Sequence, residues 1–137
     1  MTVRVVLAGG GTSGHVLPAL AVAESLRELG VPNENVLYIG ARRGVENKLV
    51  PESGVRLETF DVSGLQRSVS PRSMLRNVAF LPRLERARRG ARRLLREFDA
   101  DVVVSVGGYA SLPAVLAARA EKVPVVVVTY DRRPGRS

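Results

Sequence analysis

Short apolar runs rich in β-branched residues alternate along this chain with stretches whose apolar residues recur every three or four positions. The runs have the pattern of β-strands and the stretches that of amphipathic helices. Because strand and helix alternate, the pattern predicts an α/β fold, a Rossmann-like parallel sheet flanked by helices with right-handed crossovers. We expect the last two strands to be covered on both faces, since their apolar runs are nearly continuous. The predicted strands are residues 3–8, 36–39, 55–62, 102–106 and 123–128.

Residues that favour helix boundaries mark the predicted helices. The first helix has Gly30 as its stop and Pro18 in its first turn, where a missing N–H costs nothing. Ser70 and Pro71 have the pattern of an N-cap and first helical residue of a later helix, which Pro82 interrupts. After Pro82 the apolar residues form one stripe with arginines around it, so this helix combines a core face with a basic face. Two further helices are predicted over residues 45–52 and 111–121.

The composition excludes several kinds of site. With 137 residues, of which 45% are hydrophobic, the chain is long enough for one compact core. It has no cysteine and one histidine, which excludes disulfides, thiolate nucleophiles and clustered Cys or His metal sites, so we expect no metal. No apolar run approaches the ~20 residues of a membrane-spanning helix, and the start of the chain lacks the pattern of a signal peptide. We therefore expect a cytoplasmic protein, attached at most to a membrane surface.

The net charge of +8 is concentrated in one segment. Between residues 67 and 96 there are ten arginines and a single acid, Glu85, whereas the rest of the chain has eleven bases and twelve acids. Next to an anionic bilayer each arginine contributes ~1 kcal/mol, so this segment predicts reversible membrane docking. A solvated helix face is the alternative, and nucleic acid is not expected, because aromatic residues make up only 4% and no recognition motif is present. The residues predicted to face the membrane are Met74, Leu75, Arg76, Phe80, Leu81, Arg83, Arg86, Arg89 and Arg93.

A glycine-rich turn follows the first predicted strand. Gly9, Gly11 and Gly14 match the G-x-G-x-x-G pattern between a strand and a helix, where backbone N–H groups bind phosphates. The acid that would hold a ribose after the second strand is absent, and Arg42 and Arg43 stand there instead. These arginines are typical of an NADP site or of an ordinary solvated loop. For the glycine turn itself, the alternative is a turn that joins strand to helix and binds no ligand.

A second glycine turn, with Gly107 and Gly108, follows the fourth predicted strand. Since parallel sheets bind ligands at the carboxyl ends of their strands, we expect the two turns to border one cleft. His15 comes directly after the first turn, where an imidazole is able to accept a proton from an attacking hydroxyl. The alternatives are a histidine that caps a nearby carbonyl and a second turn that binds nothing.

Four segments, 8–23, 49–51, 62–65 and 101–109, resemble in order the landmarks of the MurG family. The resemblance implies a GT-B glycosyltransferase, in which two Rossmann-like domains face each other across a cleft. That family transfers N-acetylglucosamine from UDP-N-acetylglucosamine to a muramyl-pentapeptide on an undecaprenyl diphosphate carrier, with inversion, in peptidoglycan synthesis at the cytoplasmic face of the plasma membrane. No cofactor is implied beyond the UDP-sugar substrate.

The resemblance also implies a division into domains and a set of site residues. Residues 1–128 correspond to the acceptor-side domain, and residues 129–137 to the start of a linker to a C-terminal donor-binding domain, supplied in cis or in trans. The implied partners are a lipid-linked diphosphate acceptor and an anionic membrane surface. The implied catalytic base is His15, the donor-binding residues are Thr12, Ser13 and Gly14, and the residues that receive the acceptor diphosphate are Gly11, Gly107, Gly108, Tyr109 and Ser111.

One segment departs from the family pattern. After the fifth strand the family usually has His-Glu-Gln-Asn, whereas this chain has Thr129, Tyr130, Asp131 and Arg132. The asparagine that would contact the donor is not matched. This departure leaves a divergent paralogue with another sugar or acceptor as an alternative. A membrane-recruiting subunit of a split glycosyltransferase and an NADP-binding oxidoreductase domain are further alternatives.

Overall fold

The computed structural model describes residues 3–10, 13–62 and 81–128, which form a parallel sheet of five strands in the order β3-β2-β1-β4-β5. Within the described residues, β1, β2 and β4 are each followed by a helix that leads back to the start of the next strand, as the alternating pattern predicts. The strands are β1 Val5–Ala8, β2 Val36–Ala41, β3 Arg56–Phe60, β4 Val102–Ser105 and β5 Val125–Val127. The helices are α1 Ser13–Glu28, α2 Glu46–Glu52, α3 Leu81–Phe98 and α4 Leu112–Glu121, with short 3-10 turns at Asn33–Asn35 and Tyr109–Ser111.

Helices cover the sheet on both faces, and each face has its own buried cluster. On one face, Val16, Ala19 and Ala23 of α1 and Val50 of α2 pack with alternate strand residues such as Leu7. The opposite face is covered by α3 and α4, whose small and apolar residues pack on the other strand positions. This second cluster contains Val6, Ala8, Leu37, Ile39, Ala91, Leu95, Phe98, Val103, Ala114, Ala117 and Ala118. The predicted Rossmann-like α/β fold is confirmed.

Two details differ from the sequence-based predictions. Helix α1 begins at Ser13, so Pro18 lies in its second turn rather than its first, and the helix lacks the hydrogen bond that residue 18 would donate. Strand β5, the last strand in the order of the described sheet, is not covered on both faces, since Val126 and Val127 are 51% and 66% exposed. An apolar run reports a strand but not its place in the sheet, which explains the second error.

Other predictions fall outside the described residues. These are the helix start at Ser70 and Pro71, the membrane-facing residues Met74, Leu75, Arg76 and Phe80, and the linker over residues 129–137. The rest of the basic helix is described, and its predicted core stripe is confirmed by the burial of Ala87, Ala91, Leu95 and Phe98. None of the described helices is both long and apolar enough to cross a membrane.

Candidate functional site

The two glycine turns lie side by side at the carboxyl edge of the sheet. Strands β1 and β4 are direct parallel neighbours, with Ala8 opposite Ser105, so the turns that follow them leave the same edge. A Cβ at Gly9 would lie 2.9 Å from the carbonyl oxygen of Gly107, and a Cβ at Gly108 would lie 3.0 Å from that of Gly10. The predicted adjacency of the turns is therefore confirmed, and it depends on glycines that let the two backbones meet.

The backbone amides of the turns fall into two groups. The N–H of Gly9 donates to Ile39 O, and the N–H of Gly107 donates to the Ser105 hydroxyl over 3.3 Å. Within the described part of the chain no hydrogen bond is donated by the amides of Gly10 and Gly108. The amides of this second pair are therefore not used within the described turns, and Gly108 is exposed whereas Gly10 is buried.

His15 lies over the second turn. Its Cγ and Nδ1 are 3.5 Å from the position that a Cβ at Gly108 would take, and its Cδ2 is 3.6 Å from the corresponding position at Gly107. The ring is half-buried and stands at the start of α1, next to the first turn. A side chain able to move a proton therefore lies where both turns meet.

Ser111 holds the second turn in shape. It is buried, its hydroxyl donates to Gly108 O over 2.8 Å, and its amide donates to the same oxygen over 3.2 Å. The hydrogen of this hydroxyl is engaged with the turn, so Ser111 acts here by positioning Gly108. Of the other predicted ligands, Gly11, Thr12 and the side chains of Ser13 and Tyr109 lie outside the described residues.

The sequence analysis missed Glu46, the only charged side chain in the described residues that is fully buried. It begins α2, and its carboxylate lies beneath the first turn, where a Cβ at Gly10 would overlap its Oε2. A Cβ at Gly40, in β2, would lie 2.8 Å from its Cγ. The signal available in the sequence was Gly40 inside a β-branched and apolar strand, because a glycine there indicates close approach of another group.

The arginines of α3 are spread around the solvent side of the helix, and some are neutralised locally. Glu85 accepts hydrogen bonds from Arg88 at 2.6 and 2.8 Å and from Arg89 at 3.2 Å. The hydrogen bonds from Arg88 and then Arg89 lower the pKa of Glu85 to about 2, against the effect of desolvation. The predicted membrane-facing residues Leu81, Arg83, Arg86, Arg89 and Arg93 are all exposed.

Among the described residues no three His, Cys, Asp or Glu side chains converge as metal ligands would.

Comparison with known proteins identifies the family. The glycosyltransferase family 28 N-terminal domain matches residues 5–137. The chain belongs to this family. Its relatives include UDP-N-acetylglucosamine--N-acetylmuramyl-(pentapeptide) pyrophosphoryl-undecaprenol N-acetylglucosamine transferases. The one from Lactococcus lactis IL1403 is 39% identical over 132 residues, which cover 96% of this chain and 36% of the relative. The one from Mycobacterium sp. KMS is 47% identical over 127 residues, which cover 92% and 32%.

Solved structures agree with the family. MurG from Acinetobacter baumannii superposes with a TM-score of 0.70 at 28% identity, covering 91% of this chain and 34% of that one. The calicheamicin glycosyltransferase CalG4 superposes with a TM-score of 0.65 at 17% identity, covering 99% and 34%, and shares the fold alone. The family 28 chain described here spans about a third of the length of the relatives that it matches.

Proposed function

We propose that this chain is the acceptor-side part of an inverting N-acetylglucosaminyltransferase that uses UDP-N-acetylglucosamine and a lipid-linked muramyl-pentapeptide acceptor. The observation that carries the proposal is the contact of two glycine turns at one sheet edge, with His15 between them, in a family 28 domain. The names of relatives that are 38–47% identical support the choice of donor and acceptor. The proposed domain spans residues 1–128, with residues 129–137 leading to a donor-binding domain.

The proposed chemistry is a direct displacement. An acceptor hydroxyl oxygen bonds to the anomeric carbon of the sugar, the bond from that carbon to the UDP oxygen breaks, and the hydroxyl proton passes to His15. The amides of Gly10 and Gly108 face the diphosphate of a bound substrate, and charge stabilisation by such fixed donors supplies much of the rate. Thr12, Ser13 and Gly14 are proposed to contact the donor. Gly11, Gly107, Tyr109 and Ser111 are proposed to shape the acceptor side.

The test is a chimera in which this chain replaces the homologous N-terminal third of the Lactococcus lactis relative. We expect transfer of radiolabelled N-acetylglucosamine from the UDP-sugar to the lipid-linked acceptor. A chimera that folds and transfers no sugar would contradict the proposal. Saturable binding of NADPH by the same protein, without any response to UDP-sugars, would favour the oxidoreductase alternative.

The proposal includes docking of the basic face of α3 on the cytoplasmic surface of an anionic membrane. It is supported by the exposed side chains of Leu81, Arg89 and Arg93 and by the acceptor of the relatives, whose name includes undecaprenol. We expect the chain to bind vesicles that contain phosphatidylglycerol and to leave them as salt rises, because salt screens exposed charges. Equal binding to neutral and anionic vesicles would contradict electrostatic docking.

A further inference from the structure

A cleft of about 220 Å³ lies at the carboxyl ends of β2 and β3, beside the glycine turns of β1 and β4. Since neighbouring strands are about 5 Å apart, the cleft lies roughly two strand spacings, about 10 Å, from the meeting point of those turns. It is lined by Arg42, Phe60, Asp61, Arg83, Arg86 and Ala87.

Positive charge converges on this cleft from two distant parts of the sequence. Arg42 comes from the loop after β2, whereas Arg83 and Arg86 come from the first turns of α3. The lining has three guanidinium groups and one carboxylate, Asp61. Within the described residues neither Arg42 nor Arg86 forms an ion pair. The excess of positive charge favours an anionic occupant.

The position of Arg42 is fixed by its backbone. Its amide donates to Phe60 O over 3.0 Å, and its carbonyl accepts from the Asn47 side chain over 3.0 Å. The same Asn47 amide group also donates to Ala41 O and Gly44 O, each over 3.1 Å. The loop that carries Arg42 is thus held against the end of β3, so the backbone at Arg42 is already in place beside the cleft.

Arg83 and Arg86 lie near the N-terminal end of α3, where the helix dipole favours acidic side chains. The first turn of α3 contains no acid, although acids stabilise that end and cations are preferred at the other. The nearest acid along the helix, Glu85, is bonded to Arg88 and Arg89 rather than to Arg86. The charge of Arg86 is therefore not paired with an acid of its own helix.

One wall of the cleft is apolar and is shaped by a helical glycine. The Phe60 ring packs on Gly90 of α3, where a Cβ would overlap its Cε1. Glycine inside a helix costs about 1 kcal/mol relative to alanine, and here it allows the helix to approach the ring closely. Guanidinium groups beside an aromatic wall suit a phosphate that is attached to an organic group.

We propose that this cleft is a second anion site, which binds a phosphate or diphosphate group. The group comes either from a lipid headgroup or from a soluble phosphate. The inference does not depend on the proposed transfer reaction, because it concerns binding that is measured without turnover, but its lipid-headgroup form rests on the proposed docking of α3 on a membrane.

The experiment is an amide NMR titration of the 137-residue chain with three probes, inorganic phosphate, pyrophosphate and monomeric dihexanoyl phosphatidic acid. We expect saturable shifts at the amides of Arg42, Phe60 and Ala87 with at least one probe. Tighter binding of phosphatidic acid would assign a lipid headgroup, and tighter binding of pyrophosphate a soluble or carrier diphosphate. Both results support the proposal. Shifts confined to Gly10 and Gly108, or no saturable shift at the cleft, would overturn it.

Two double variants that remove the same amount of charge distinguish anion binding at the cleft from general electrostatic attraction of anions to the chain. Arg42→Gln combined with Arg86→Gln should weaken binding at the cleft amides at least ~10-fold, because two charge-assisted hydrogen bonds are lost. The control combines Arg27→Gln with Arg119→Gln, two exposed arginines outside the cleft and outside α3. Equal weakening by the two pairs would overturn the assignment to the cleft.

Discussion

The carboxylate of Glu46 lies directly against the backbone of Gly10, in the space that a Cβ at Gly10 would occupy. Glu46 is fully buried at the start of α2, so the first glycine turn rests on a buried carboxyl group. Gly10 has a φ of 138°, a conformation that other residues rarely adopt. Space and backbone conformation therefore both require glycine at this position.

Replacing Gly10 by alanine should destabilise the fold by about 2 kcal/mol or more, because strain in the backbone adds to overlap with a buried side chain. The measurement is urea unfolding at neutral pH. Gly30→Ala is the matched control, since Gly30 also has positive φ, 97°, but open space around its Cβ position. We expect the control to lose only about 1 kcal/mol. Equal losses would show that the overlap with Glu46 is unimportant.

The ion pairs of Glu121 should make the docking of α3 on α4 sensitive to acid. Glu121 accepts from Arg92 Nε at 2.9 Å and from Arg96 Nε at 2.8 Å, and these hydrogen bonds lower the pKa of its carboxyl. A lowered pKa in the folded state means that stability is present above the ordinary value of 4.5 and is lost as the pH falls through the lower, folded value. The thermal midpoint of Glu121→Gln should therefore lie below that of the unchanged chain at neutral pH.

The difference in thermal midpoint between Glu121→Gln and the unchanged chain should shrink as the pH falls from 4.5. It should vanish below the pKa that Glu121 has in the folded protein. Differential scanning calorimetry from neutral pH to about pH 2.5 measures it. Glu24→Gln is the control, because Glu24 is exposed and forms no ion pair among the described residues. A constant difference across the range would mean that Glu121 stabilises the helix pair by packing rather than by charge.

The alternation of apolar runs and helical stretches was sufficient to predict the parallel sheet and, through it, the adjacency of the glycine turns. These features follow from local periodicity and from the rule that parallel strands end at the same edge. The burial of Glu46 was not predictable in this way, because it depends on the packing of its carboxylate against Gly10, which is distant from it in sequence. The convergence of Arg42 with Arg86 was missed for the same reason.

Errors at particular residues have equally local causes. The residues before Leu17 have a loop-like composition, so the start of α1 at Ser13 was not recognised, and Pro18 was placed one turn too early. In β5 the run of valines predicts a strand but does not report whether another strand lies beyond it. Successive side chains point to opposite faces of a sheet, so the exposure of Val126 and Val127 depends on what covers each face, which the run of valines does not encode.

His15→Ala in the chimera with the Lactococcus lactis relative should lower kcat at least ~100-fold if the imidazole is the general base. His15→Asn separates this role from a structural one, because asparagine can still donate to a neighbouring carbonyl but is a poor base. Leu29→Ala is the control, since Leu29 is 81% exposed and follows the last residue of α1, at the other end of that helix from His15. The measurement is kcat against pH. If both His15 variants fold normally and lose the decrease of kcat at acidic pH, the result supports His15 as the general base. Recovery of kcat in His15→Asn would instead show that the ring only holds the second glycine turn in place.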